Sequence, residues 1–166
     1  RSDLEDKRKA MAHLKATGAE VHYVQADVAD VDALANALDG LELDWRRELT
    51  GVMHLAGTYR EYPCTELDPD TALEEAKAKV IGSWALNEVV QQCASQPVFV
   101  VFSSVNGFFG GMNVGAYSAE NSFVEAYVQA MLPQTRAYAV AFSMWHDIGM
   151  SAGNPMAALS ARRGYQ

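Results

Sequence analysis

Sulfur is scarce in this chain. Two cysteines, Cys64 and Cys93, occur in 166 residues, at no metal-binding or redox spacing. That excludes a disulfide scaffold or a zinc module and points to a reduced, cytosolic setting. No apolar run approaches the roughly 18 residues of a membrane span, and no signal peptide opens the chain. Positive charge is also short: 13 Lys and Arg face 21 Asp and Glu, a formal charge of −8. That balance argues against nucleic acid as a general partner, while a local basic pocket for a phosphate stays compatible. There is no internal repeat, no low-complexity linker and no G-x-G-x-x-G motif. What remains, 49% hydrophobic and 20% charged, is the composition of one ordinary globular domain.

The pattern that is present alternates. Leu4, Met11 and Leu14 in "DLEDKRKAMAHLKATGAE" keep helical spacing, with acids in the first turn and Gly18 as a stop. "VHYVQADV" reads as a short strand. Asp30 caps a helix over "VDALANALDG" that ends at Gly40. "LTGVMHLAG" reads as a buried strand turning at Gly57. "DPDTALEEAKAKVIGSWALNEVVQQCAS" reads as one long helix with Pro69 near its start, and "PVFVVFSS" as a strand of the kind covered on both faces. A glycine-rich loop, a helix from about Tyr117 to Met131 and the strand "AYAVAFSMW" follow. Strand–helix alternation throughout predicts an α/β fold, a Rossmann-like doubly wound parallel sheet.

A sheet of that kind normally opens with a strand, a glycine-rich turn and a helix whose N-terminus takes a pyrophosphate. "GFFGG" comes after a late strand instead. In the order 3-2-1-4-5-6 the absent first two strands would lie between "VHYVQ" and "LTGVMHL", leaving unpaired edges. The expectation is one domain over residues 1–166, incomplete at its N-terminus and at its C-terminus, and part of a larger chain.

Chemistry concentrates in "SSVNGFFGGMNVGAYSAEN", Ser103 to Asn121. Tyr117 and Asn121 stand four apart and share a helix face. Singly, each polar residue has a bland role. Lys79 suits a solvated helix charge, as Lys77 does; Ser104 suits a turn; Tyr117 and Asn121 suit a helix start. As an ordered set, Lys79 in "AKVIG", Ser104 in "VFSS", and Tyr117 and Asn121 in "AYSAEN" resemble the short-chain dehydrogenase/reductase superfamily. More narrowly, they resemble the ketoreductase domains of modular polyketide synthases and hybrid peptide–polyketide synthases, which carry the lysine in a K-V-x-G stretch ahead of the "FSS" strand. The likeness covers essentially the whole chain.

The resemblance implies roles. Reducing a ketone needs a hydride on carbon and a proton on oxygen. Tyr117 would give the proton and Ser104 would hydrogen-bond the carbonyl oxygen as charge builds there. A free tyrosine has a pKa of about 10, and an ammonium beside it favours the phenolate. That is the role implied for Lys79, which would also bind the nicotinamide ribose. Asn121 would hold a water or orient Lys79. NADPH is the implied cofactor. Asp27 and Val28 of "ADVAD" would meet the adenine, although a helix-capping acid fits Asp30 better. Ala56 and Gly57 of "HLAG" would line the nicotinamide ribose, Gly57 by letting backbone approach closely. His54 reads as a core residue. Arg1, of "RS", would pair with the 2′-phosphate of NADPH.

For substrate, the resemblance offers Trp145 and Met150 of "SMWHDIGM" at the acyl entrance, with a buried core tryptophan the close alternative for Trp145. The segment Ser151 to Asn154 would be the hinge of a helix over the site. The two stereochemical markers of these domains fall on "YRE" at Tyr59 to Glu61 and on Phe109, eight before the tyrosine. Neither is in its usual form, so the product hand stays open. Glu120 stands where a small residue is common, and either perturbs the site or faces solvent.

The leading expectation is an NADPH-dependent ketoreductase domain of a multidomain synthase. It would act on a ketoacyl thioester, β-keto by default and α-keto as the open variant, carried on the phosphopantetheine of an acyl carrier protein. Tethering gives high effective concentration without much intrinsic affinity. No metal, nucleic acid or membrane is expected, and the location is cytoplasmic. A free-standing short-chain dehydrogenase is disfavoured by the position of Lys79, and a purely structural module by the intact set of four.

Overall fold

The computed structural model describes residues 3–45, 47–131 and 136–145, with backbone only at 42–45. The order is α1 (Asp3–Ala16), α2 (Val31–Trp45), β1 (Gly51–His54), α3 (Pro69–Ala76), one π-helical turn (Lys77–Ile81), α4 (Gly82–Gln92), β2 (Val98–Ser104), α5 (Asn106–Phe109), α6 (Gly115–Met131) and β3 (Ala137–Phe142). The three strands form one parallel sheet in the order β1-β2-β3. Gly51 pairs with Val98, and Phe99 with Ala137.

The core lies on one face of this sheet. Val90 of α4 and Val124, Val128 and Met131 of α6 pack on Phe99 and Val101 of β2 and Ala137 of β3. Each fully buried side chain of this size stabilises by about 1.5–3 kcal/mol. The period-2 alternation of β2 puts Phe99, Val101 and Ser103 inward. The other face differs from the expected two-sided cover. Met53 and Tyr138, 70% and 55% exposed, flank Val100 there in one register row.

Other boundaries differ from the sequence reading for identifiable reasons. Residues 21–28 are not a strand; no described strand lies beside them, so their β-branched composition has no ladder to join. Asp30 does cap α2, Oδ1 accepting from the Ala33 N–H at 2.9 Å. Gly40 does not end that helix, because it lacks the positive φ that ends α1 at Gly18 (83°). The long helix is three pieces. Asp68 caps its start through the Asp70 and Thr71 N–H groups, and the π turn interrupts it at Lys77. Part of the glycine-rich loop is the short helix α5. No helix of the described residues is long and apolar enough to cross a membrane.

Candidate active site

The carboxyl ends of parallel strands are where open α/β sheets bind ligands. Ser104 ends β2, and Ala56 and Gly57 lie just past β1. Under Gly57 runs the π turn, and it carries Lys79. At its end the Gly82 N–H donates both to Lys77 O and to Lys79 O. His54, buried, places Nε2 3.4 Å from Lys79 O. A carbonyl can only accept, so that nitrogen carries the proton. Burial also lowers the His54 pKa, keeping the ring neutral.

Lys79 is 4% exposed. Its Nζ donates to Asn121 Oδ1 at 2.8 Å and to Phe102 O at 3.2 Å, and stands 5.3 Å from the Tyr117 ring centroid. A Cβ on Gly57 would sit 3.0 Å from Lys79 Cε, so glycine there leaves room for this lysine. Asn121 in turn donates from Nδ2 to Tyr117 O at 2.6 Å, spanning i to i−4 on α6. The fold thus brings Lys79, Asn121 and Tyr117 together, on the shared helix face that the spacing predicts. Ser104 Oγ accepts from the Asn106 N–H at 3.2 Å, which leaves its own proton to give.

Two contacts hold Tyr117 and its helix from outside. Tyr59 packs edge-on against the Tyr117 ring at 5.1 Å, and Tyr62 bridges to Val114. Burial, together with the carboxylate of Glu61, to which it is hydrogen-bonded, raises the Tyr59 pKa to about 12. Gly107 lets α5 lie on α6, since a Cβ there would meet the Ser122 nitrogen at 3.0 Å.

The charges around Lys79 are unusual. Glu75 is buried, accepting from Thr58 Oγ1 at 2.8 Å, with Arg60 Nη1 3.3 Å from its other oxygen. Glu120 is 3% exposed, and neither carboxyl oxygen has a hydrogen-bond partner. Burial pushes its pKa up to about 7, with Lys79 opposing and Glu75 reinforcing the rise. Burial lowers the Lys79 pKa, and Glu120 counters it.

Other predicted residues lie apart from this cluster. Asp27 is exposed, its Oδ1 accepting from the Ala29 N–H and its Oδ2 ion-paired with Lys77 Nζ at 3.0 Å. Val28 packs where a Cβ on Gly82 would meet its Cγ1 at 2.9 Å. Ala56 is exposed. Phe109 is 78% exposed and packs edge-on with Phe108. Trp145 is half-exposed, against Phe142, so it is not a buried core residue. Arg1, Met150 and the segment Ser151 to Asn154 fall outside the described residues.

A sequence model of the KR domain matches residues 1–147. The chain belongs to the KR, or ketoreductase, domain family. The chain is 33% identical over 144 residues to polyketide synthase GfsB of Streptomyces halstedii, covering 84% of this chain and 2% of that protein. It is 34% identical over 137 residues to erythronolide synthase EryA2 of Saccharopolyspora erythraea, covering 81% and 4%. Among solved structures it matches the ketoreductase from the first module of phoslactomycin biosynthesis in Streptomyces sp. HK803. There the TM-score is 0.83 and the identity 28%, over 93% of this chain and 35% of that one. A multidomain structure with adenylation, ketoreductase and pseudo-Asub parts, from a keto acid-selecting NRPS module, gives 0.81 and 30% over 95% and 14%. The chain therefore spans only a small fraction of the large synthases it resembles.

Sequence reasoning misses the contact of Tyr59 with the Tyr117 ring, the role of Glu75 and the burial of Glu120. One signal was available: Glu75 stands four residues before Lys79, a spacing that pairs side chains on a helix. Nothing in the order of residues places Tyr59 on the Tyr117 ring.

Proposed function

We propose that this ketoreductase reduces a carrier-bound ketoacyl thioester with NADPH, giving the hydroxyacyl thioester. The observation that carries the reading is the Lys79 ammonium, buried, hydrogen-bonded to Asn121 and 5.3 Å from the Tyr117 ring centroid. A surface lysine would need none of this.

The residues past the strand ends fit a dinucleotide. Ala56 is exposed, Gly57 has no side chain, and Asp27 and Val28 lie beside the same helix run that carries Lys79. Ala56, Gly57 and Lys79 would hold the nicotinamide ribose, with Tyr117 beside it, and Asp27 and Val28 the adenine end. NADPH supplies the hydride when bound. Arg1, an arginine suited to a 2′-phosphate, favours NADPH over NADH. Tyr117 Oη gives its proton to the ketone oxygen, and Ser104 Oγ, held by Asn106, donates a hydrogen bond to that oxygen. Lys79 stabilises the phenolate left behind, and Asn121 and Phe102 fix the ammonium. Phe109, Trp145 and Met150 would border the acyl chain.

The relatives are parts of large synthases, which supports an acyl carrier protein as the partner, a parent multidomain chain, and a cytoplasmic site of action. A β-keto thioester is the leading substrate. Likeness to a keto acid-selecting NRPS module favours an α-keto group as the second reading. The test is NADPH consumption by the parent polypeptide with each thioester, wild type beside Tyr117→Phe. Loss of roughly 10²-fold or more in kcat with NADPH binding intact is expected. Wild type that binds NADPH yet reduces neither thioester would refute the assignment.

A further inference from the structure

Tyr117 occupies the first turn of α6, and helix ends are the least fixed part of a helix. The chain before it is glycine-rich and turns at Gly110 and Asn113, both with positive φ (68° and 61°). Local backbone gives the phenol ring little direction, and residues 58–62 supply it instead. Tyr62 lies against the approach to α6, its N–H donating to Asn113 O at 2.7 Å beside a bridge to Val114. Arg60 Nη1 donates to Tyr62 Oη at 3.3 Å and stands 3.3 Å from Glu75 Oε1. Thr58 Oγ1 donates to Glu75 Oε2 at 2.8 Å. Burying a carboxylate is costly unless charged and hydrogen-bonding partners meet it. Glu75 of α3 is 5% exposed, and Thr58 and Arg60 meet it from this one segment. The residue between them, Tyr59, meets the Tyr117 ring instead. The two centroids are 5.1 Å apart and the planes 83°, the edge-to-face arrangement that aromatic pairs prefer. Tyr59 Oη donates to Glu61 Oε1 at 2.8 Å, which fixes the Tyr59 ring in turn.

We propose that residues 58–62 form a strap that aims the Tyr117 hydroxyl, with Tyr59 as the positioning residue in contact with it and Glu75 as the strap's anchor. The inference rests on the reductase reading above, in which Tyr117 gives its proton to the ketone oxygen. That transfer needs the phenol oxygen within hydrogen-bond reach of the ketone oxygen. A misplacement of about 1 Å costs up to about 10²-fold in rate. Lys79, 5.3 Å from the ring centroid, sets the charge beside the phenol. Tyr59 sets its direction, from the loop after β1. Tyr59 acts through Tyr117 and not on the substrate, so the strap governs kcat and leaves KM alone.

The test is steady-state kinetics of the parent polypeptide with NADPH and the ketoacyl thioester. Tyr59→Ala should lower kcat about tenfold with both KM values unchanged. Its solvent deuterium isotope effect on kcat should rise, because transfer of the proton then limits the rate. Tyr59→Phe keeps the ring and should stay within about threefold of wild type. Glu75→Ala should lower kcat severalfold alone and add nothing to Tyr59→Ala, since both act through one contact. Thr58→Val releases the same anchor should Glu75→Ala fail to fold. Proton NMR supplies a readout free of turnover: the Tyr117 ring resonances should move in Tyr59→Ala and hold their place in Tyr59→Phe. Unmoved resonances or an unchanged kcat in Tyr59→Ala, a thioester KM that rises in its place, or anchor and Tyr59 effects that add would overturn the strap and leave the reductase reading standing. A wild type that binds NADPH but reduces neither ketoacyl thioester would overturn both.

Discussion

Whether Glu120 helps or harms the fold depends on two opposed effects, desolvation of its carboxylate and attraction to Lys79. Its pKa settles the sign. The folded value, about 7, exceeds the ordinary 4.5, so the folded state binds the proton more tightly than the unfolded chain does. The stability linked to that proton is fully present below about pH 4.5 and is lost as pH rises through about 7. Each pKa unit is worth about 1.4 kcal/mol. Ionised Glu120 thus costs roughly 3 kcal/mol, and about 2–3 kcal/mol of that develops between about pH 5 and pH 8. Glu120→Gln keeps the shape and removes the titration. Urea unfolding of both proteins at the two pH values is the assay. The variant should gain on wild type by about 2–3 kcal/mol between the lower and the higher pH, and any constant effect of the amide cancels in that difference. If the variant instead loses ground at the higher pH, attraction to Lys79 outweighs desolvation and the reasoning fails.

Asn121→Ala removes the acceptor 2.8 Å from the buried Lys79 ammonium, a charged hydrogen bond whose loss costs about 1.5–3 kcal/mol. Urea unfolding at neutral pH measures it, and a change near zero would mean the ammonium finds another acceptor. Gly82→Ala sets a helix-propensity gain of about 1 kcal/mol against overpacking of about 1–3 kcal/mol. The new Cβ would stand 2.9 Å from Val28 Cγ1 and 3.3 Å from His54 Cε1. Val28 belongs to a segment with no strand ladder, so it should yield. The expected result is a near-neutral melting temperature with a severalfold higher KM for NADPH; a large fall in melting temperature at unchanged KM would mean that the buried His54 moves instead.

These outcomes bear on what could be read from the sequence. β2 was legible because a run of Val and Phe closed by two serines needs no distant information to be a buried strand. Residues 21–28 carry similar local preferences, yet strand formation depends on a neighbouring strand, and none of the described residues supplies one. The stop expected at Gly40 failed for a similar reason, because a glycine may continue a helix, and only its φ decides. The pairing of Tyr117 with Asn121 followed from helical geometry alone. The position of Lys79 did not, because "KAKVI" has no local mark of a π turn, and its burial depends on Gly57 in another element.

The two buried acids show the limit most clearly. Glu75 and Glu120 are chemically alike and both over nine-tenths buried. One meets Arg60 and Thr58 from the loop after β1, and the other meets no donor. Environments that set neighbouring titratable groups apart are the general means of giving them different tasks. Here the partnered acid offsets the charge of Arg60, and the unpartnered one is left to change the net charge beside Lys79 by one unit near neutral pH. The difference depends on donors from the loop after β1, so a chain read residue by residue shows two glutamates and the fold shows one partnered carboxylate and one unpartnered acid.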